Sequence, residues 1–257
     1  MHHHSNNFVM ISAAQQKYIR SLQQQKYRKA HKAYVAEGEK IVLEYLKSTA
    51  LVEYIAATPE FLQTHQFWVQ RHPEATILSL RDFEFEKISG LKTNITALLV
   101  VKQSESERFE LVPGQWSLLL DAVQDPGNMG TIIRIADWFG IQQVICLPGC
   151  VEVYNPKVVQ AAMGSLLRVK ISTIDPDLFF PNLQLPVYAT VLDGENIRKS
   201  KSLQPGIIVM GNESQGISEA VKQYATHHIA IPGSGAAESL NVAVATGIIC
   251  YALLGNE

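Results

Sequence analysis

The 257-residue sequence predicts an α/β protein of two domains, a smaller α/β domain followed by a larger one built on a mostly parallel sheet. Three observations predict it. Apolar runs recur from Gln115 onward with helical segments between them. These runs are continuous rather than alternating, which marks strands covered on both faces by helices. A charged, Ser-bearing segment ending in Pro113-Gly114 separates this pattern from the one that precedes it.

The first domain is taken as residues 11–102. Helical spacing of apolar residues predicts helices over 12–26, 35–47, 59–70 and 80–89, and short apolar runs predict strands at Val52–Ala56, Ala75–Leu78 and Thr96–Val101. Residues 103–114 form the linker and 115–257 the second domain. Strands are expected there at Trp116–Leu120, Gln142–Leu147, Leu167–Ile171, Pro186–Leu192, Gly206–Met210 and His227–Ile231. Residues 1–10, which include His2, His3 and His4, read as a tag or disordered tail and are set apart from the fold.

Composition narrows the classes. Apolar residues make up 47% and charged residues 18%, as in ordinary soluble domains, and no run approaches the roughly eighteen apolar residues that a membrane span needs. Cys146, Cys150 and Cys250 stand among apolar neighbours and cannot make a disulfide framework, so a reducing, cytoplasmic setting is expected. With scattered histidines and no second cysteine pair, no metal site is expected. The net charge of −2 argues against a nucleic-acid partner until its distribution is seen. Lys17, Arg20, Lys26, Arg28, Lys29 and Lys32, interleaved with Tyr18, Tyr27 and Tyr34, run without an acid until Glu37. Such a stripe is either a solvated helix face or an RNA-binding one.

In parallel sheets ligands bind beyond the carboxyl ends of the strands, which directs attention to three loops. The first runs from Asp121 to Arg134: Pro126 and Gly127 make a turn, Asn128 can cap, and Arg134 falls about one and a half turns into the next helix, where it either meets solvent or holds an oxyanion. In the second, Gly211 lets a backbone pass close to a ligand, Asn212 and Glu213 follow, Gly216 permits a turn and Ser218 caps. The third starts at Ile231. Ser239 is placed to cap, and Asn241 falls in the first turn of a helix whose Val242, Val244, Ala245, Ile248, Ile249, Ala252 and Leu253 leave almost no polar face. An unsatisfied buried carboxamide group there costs about 1 to 3 kcal/mol, so Asn241 either joins a capping network or faces a ligand. A dinucleotide site is excluded, since no Gly-x-Gly-x-x-Gly is present and Val144–Pro148 offers no acid for a ribose; a P-loop lacks its Gly-Lys-Ser/Thr.

Three loops of this composition in this order resemble the signature of the SpoU family of RNA ribose 2′-O-methyltransferases, of the SPOUT class. The matching positions are Asn128, Gly130 and Arg134, then Gly211, Asn212, Glu213 and Gly216, then Ser239, Leu240 and Asn241, with Met163–Arg168 similar to a family segment between them. The stretch from Tyr27 to Lys40 looks like the L30e-like RNA-binding domain that many members carry. The resemblance implies a deep trefoil knot, a homodimer formed through the knot region, and S-adenosylmethionine as cofactor. By position, the cofactor would lie against Leu192, Asp193 and Gly194, against Met210, Gly211 and Asn212, and against Ile231, Ser239, Leu240 and Asn241.

The implied reaction is methylation of a ribose 2′-oxygen in structured RNA, ribosomal RNA ahead of transfer RNA because of the extra domain. Arginine holds its proton too firmly to serve as a good base. Arg134 is therefore expected to stabilise the developing 2′-oxyanion or to pin the adjacent phosphate, with Asn128 and Glu213 orienting it and the ribose. Lys26, Arg28, Lys29 and Lys32 are expected to bind the RNA. The rival is an RNA-binding protein that keeps the knot without catalysis.

Overall fold

A computed structural model describes residues 11–91, 95–104, 110–199 and 203–255; the expected tail at 1–10 and the middle of the expected linker, 105–109, lie outside the described residues. The chain divides into two compact units. One comprises the described residues of Met1–Glu105 together with Tyr154–Leu167; the other comprises those of Ser106–Val153 and Arg168–Glu257.

The first unit opens with a capping box, in which Ser12 N–H donates to the Gln15 side chain and Gln15 N–H to Ser12 Oγ. Helix α1 (Ala13–Ser21) follows, and the helix expected over 12–26 breaks at Leu22–Gln24 before α2 (Gln25–His31). Arg28 explains the break. Its side chain is buried and its Nη1 donates to the Leu22 carbonyl at 2.8 Å, holding the turn between the two helices. Arg28 is thus a structural residue rather than an RNA contact, which corrects the sequence-based expectation. Lys26, Lys29 and Lys32 remain exposed, with Lys32 ending α2 in the left-handed conformation.

The helix expected over 35–47 is a strand followed by a helix, β1 (Ala33–Glu37) and α3 (Glu39–Lys47), with Gly38 turning the corner at φ 92°. The chain continues through β2 (Val52–Ala57), α4 (Pro59–Thr64), α5 (Gln66–Val69), β3 (Thr76–Ser79), α6 (Asp82–Phe85) and β4 (Ala97–Lys102). The sheet order is β1-β4-β2-β3, with β4 antiparallel to both neighbours and β2 parallel to β3. Both faces are covered: Leu99 and Val101 pack with Tyr34, Ile41, Tyr45 and Ile55, and Leu98 and Val100 pack with Ile19, Leu22, Val35 and Leu78. The buried Glu37 carboxylate accepts bonds from Gln23, Ser89 and the Gly90 amide, tying α1's end to the segment after α6.

The same unit contains a later piece of chain, so a single division at 103–114 is incomplete. Helix α8 (Pro156–Ala162) and a 3-10 turn at Ser165–Leu167 pack here: Val159 enters the core, Tyr154 stacks on Tyr34 with centroids 4.6 Å apart, and Met163, Leu166 and Leu167 lie against it. Gly164, at φ 91°, passes so close to Glu44 that an added Cβ would stand 3.0 Å from the Glu44 Cβ.

The second unit runs β5 (Ser117–Leu120), α7 (Pro126–Trp138), β6 (Gln143–Cys146), β7 (Lys170–Thr173), α9 (Pro176–Phe179), β8 (Val187–Asn196), β9 (Ile207–Met210), α10 (Glu219–Lys222), β10 (His227–Ala230) and α11 (Val242–Leu254). Its sheet has the order β10-β8-β9-β5-β6-β7, and every adjacent pair is parallel. The central strands β5 and β9 are buried throughout, as their continuous apolar runs require. One face packs Leu119, Ile145, Val187 and Val209 against Ile217, Val221 and Phe180, and Phe180 stacks on Tyr224 at 4.6 Å. Strand β8 is longer than expected. Its partner β10 pairs His228 with Ala189 and then Ile229 with Glu195, so residues 190–194 bulge out between successive pairs. None of the helices among the described residues is long and apolar enough to cross a membrane.

Replacing Arg28 with alanine leaves the Leu22 carbonyl and the space around a buried guanidinium unfilled. The expected loss is about 2 kcal/mol in the stability of the first unit, measured by urea unfolding.

Candidate active site

Because the second sheet is parallel, the loops after β5, β9 and β10 leave it at one edge. The loop after β5 is set by Asp121 and Asp125. Asp121 is buried and its Oδ2 accepts the Ser218 amide at 2.7 Å, which ties the first loop to the second. Asp125, and not Asn128, caps α7: its Oδ1 accepts the Asn128 amide at 2.7 Å, and Pro126 occupies the first helical position, where a missing N–H costs nothing. Asn128 therefore sits one turn inside the helix with its carboxamide free for other work.

The loop after β9 is held by Asn212. Its Oδ1 accepts the Ser214 and Gln215 amides, and its Nδ2 donates to the carbonyl of Ala122 at 2.8 Å; Ala122 itself takes the uncommon φ of 56°. Asn212 and Gly216 exchange both backbone bonds at 2.9 Å, and Gly216 has φ 68°. A Cβ on Gly211 would lie 2.2 Å from the Gly216 carbonyl carbon, so the close pass that Gly211 permits is made by its own loop rather than by a ligand. Ser218 stands at the N-cap of α10 without a side-chain cap bond, and the bond to Asp121 uses its backbone.

The third loop ends in Asn241, which is itself the N-cap of α11. Its Oδ1 accepts the Ala243 and Val244 amides at 2.9 and 3.2 Å. The expected cap, Ser239, lies exposed two residues earlier. Asn241 is exposed rather than buried, and so is part of α11. Val244, Ile248 and Tyr251 face outward while Val242, Thr246, Ile249 and Cys250 face in, which corrects the expectation of a helix buried nearly all round.

One chain of bonds joins the three loops. Asn241 Nδ2 donates to Asn128 Oδ1 at 2.9 Å, and Asn128 Nδ2 donates to Glu213 Oε1 at 2.9 Å. Asn128, Glu213 and Asn241 thus meet. Arg134 does not join them. It is the ninth residue of α7, about 9 Å along the axis from Asn128 and more than two turns in, and it projects to solvent. Within the single chain Asn128 and Glu213 bond to each other and not to Arg134. Below the relay, α7 and α11 enclose an open cavity of about 470 Å³ lined by Asn128, Thr131, Ile135, Val244, Ile248 and Tyr251.

The remaining candidates divide by exposure. Leu192 and Asp193 stand out on the bulge of β8, and Leu240 is half exposed. Met210 is buried, with its sulfur accepting from the Thr190 hydroxyl, and Ile231 is half-buried. Gly194 passes close to β10, where an added Cβ would stand 2.7 Å from the Ile229 carbonyl carbon. Beside the first loop, a hydrogen bond from Cys146, together with the Val123 and Ala122 backbone, holds the Cys150 thiol below its ordinary value; the same thiol contact and burial raise Cys146. Among the described residues no group of three or more metal-binding side chains comes together.

Comparison with known proteins places this geometry. Residues 115–251, over half of the chain, match the SpoU rRNA methylase family, and residues 14–98 match the MRM3-like substrate binding domain. The chain belongs to the SpoU rRNA methylase family. A 23S rRNA (guanosine(2553)-2′-O)-methyltransferase from Bacillus subtilis is 30% identical over 92% of this chain and 94% of its own length. A tRNA (guanosine(18)-2′-O)-methyltransferase from Aquifex aeolicus is 33% identical over 51% of this chain and 64% of its own length. Among solved structures, a Porphyromonas gingivalis protein assigned to the TrmH family of RNA methyltransferases is 37% identical with a TM-score of 0.86, covering 97% of this chain and all of that one. An AdoMet-bound rRNA methyltransferase from Sinorhizobium meliloti is 27% identical with a TM-score of 0.84 over 95% of each chain. As a SpoU family member this chain is a methyltransferase, on a fold shared with these enzymes.

Asp121 and Asp125 escaped the sequence-based reading. Asp125 carried a signal, an Asp-Pro pair with an amide acceptor's distance to Asn128, but Asp121 did not, since its partner Ser218 is 97 residues away. Asn241→Ala removes both the cap and the link to Asn128, and should lower thermal stability by about 1 kcal/mol or more, whereas Ser239→Ala should change it by less than about 0.5 kcal/mol in the same melting experiment.

Proposed function

We propose that this chain transfers a methyl group from S-adenosylmethionine to the 2′-oxygen of a ribose in structured RNA, ribosomal RNA in particular, and does so as a homodimer. The observation that carries the proposal is the relay from Glu213 through Asn128 to Asn241, which joins the three loops of the family pattern into one site.

The residues fit the cofactor. The loops after neighbouring strands β8, β9 and β10 present the apolar Leu192, Leu240 and Ile231 beside polar backbone and the Asp193 carboxylate, a surface suited to an adenine with a ribose and an amino-acid tail. When bound, S-adenosylmethionine supplies a methyl on a sulfonium that leaves as neutral sulfur. The protein's own task is then to align the hydroxyl and ease loss of its proton. Asn212 and Gly211 hold the second loop in shape rather than reach outward. Glu213 keeps Oε2 for the ribose hydroxyl while Oε1 accepts from Asn128. Arg134 stabilises the developing 2′-oxyanion or pins the adjacent phosphate, for which its planar guanidinium is suited.

The homodimer gives Arg134 its place. Trp138, Leu240, Val244 and Tyr251 are each at least half exposed on or beside α7 and α11, an apolar face that a second copy would cover. Arg134 projects from α7 one turn before Trp138, so pairing through this face directs it toward the site of the partner subunit. The trefoil knot belongs to the same proposal, as does a cytoplasmic location without membrane or metal, in keeping with three free cysteines. Ribosomal RNA is favoured over transfer RNA because the Bacillus subtilis enzyme aligns across both units, whereas the Aquifex aeolicus tRNA enzyme aligns with only half of the chain.

Single-turnover methylation of ribosomal RNA tests the chemistry. Arg134→Lys, which keeps the charge and loses the fork, should slow it at least about tenfold, and near full rate would make the fork irrelevant. On the first unit, the exposed Lys26 and Lys29 should be the RNA contacts. Reversing both to glutamate should weaken RNA binding and flatten its salt dependence by about two phosphate contacts, leaving S-adenosylhomocysteine affinity unchanged in calorimetry.

A further inference from the structure

We propose that Arg168 is a positioning residue for the methyl transfer: by clamping Asp137 it keeps that carboxylate off Arg134, so that the Arg134 guanidinium stays available to RNA. This role rests on the reading of Arg134 given above.

Arg134 and Asp137 stand three residues apart on α7, the spacing at which arginine and a carboxylate meet on a helix surface, with Cβ atoms about 5–6 Å apart. The pair does not form. Arg134 makes no hydrogen bond or ion pair among the described residues. The carboxylate is taken by Arg168 instead, whose Nε lies 3.0 Å from Oδ1 and 2.9 Å from Oδ2, with Nη2 2.8 Å from Oδ2. A guanidinium that engages both carboxylate oxygens is the strong form of this contact. The Asp137 side chain is 21% exposed, so solvent screens it less than a surface acid.

Arg168 comes from outside α7. It is the residue at which the chain rejoins the second unit ahead of β7, after the segment Tyr154–Leu167. Without it, Asp137 is an anion one turn from Arg134 and draws the guanidinium down onto the helix. A charge so paired is lost to an oxyanion or phosphate. Paired helix charges of this kind are weak, so the consequence is a reduced rate rather than an abolished one.

The test is single-turnover methylation of ribosomal RNA from cells lacking the protein, with labelled S-adenosylmethionine. Arg168→Ala should slow transfer about fivefold, the equivalent of about 1 kcal/mol, with unchanged affinity for S-adenosylhomocysteine. Adding Asp137→Asn to that variant should restore the rate, because the neutral amide no longer competes for Arg134. A purely structural clamp predicts no rescue, since both variants lack the ion pair. Full rate in Arg168→Ala, or a double variant as slow as the single one, overturns the role. Arg134→Ala separates the two levels: if it keeps full rate, the reading of Arg134 fails and this role with it, whereas a slow Arg134→Ala beside an unrescued double variant overturns this role alone.

Discussion

Asn128 uses the two ends of one carboxamide in opposite senses, donating to Glu213 and accepting from Asn241, and the shape of the site depends on that pair of bonds. Few side chains can do this. An aspartate has no proton to give Glu213 and would set two carboxylates side by side, while a hydroxyl is too short to span both neighbours. The parallel sheet makes the arrangement workable, because it delivers the loops to one edge before any side chain acts. Asp121 and Asn212 then brace the first two loops against each other through backbone partners, leaving Asn128 to join the third. The relay is assembled from neutral amides apart from Glu213, so little charge has to be desolvated to build it.

The centre of the second sheet was the most legible part, because β5 and β9 are nearly continuous apolar runs buried on both faces, whereas β7 and β10 at its edges carry polar, exposed residues. The first unit was harder. Ala33–Glu37 is as suited to a helix as to a strand by composition, and only its pairing with β4, across more than sixty residues, makes it a strand. Arg28 belongs by type to the surface, and nothing local announces that its guanidinium replaces a missing partner for Leu22. The loops were found by their residue types, but their caps were misassigned by two or three positions. Asn128 and Ser239 both gave up the capping role to a neighbour, Asp125 and Asn241, because a cap is decided by backbone geometry that several polar residues in a row satisfy equally on paper.

Helix α11 shows why apolar character alone could not settle its surroundings. Its sequence carries almost no polar face, yet one side packs against α7 and the other is exposed in the single chain. An apolar residue that is exposed and one that is covered by its own fold look the same in a sequence, because apolar type does not record what lies against it.

The segment Tyr154–Leu167 bears on how the protein is made. The apolar face formed by Tyr34, Tyr45 and Val101 receives Val159, Leu166 and Leu167 from beyond the first strands of the other unit. During synthesis the amino-terminal unit therefore cannot close its core when its own sheet is complete at Lys102; it must wait until residue 167 has left the ribosome, by which time β5, α7 and β6 have also emerged. Maturation of the two halves is interlocked in time, and a fragment cut between them inherits an uncovered apolar face rather than a finished domain.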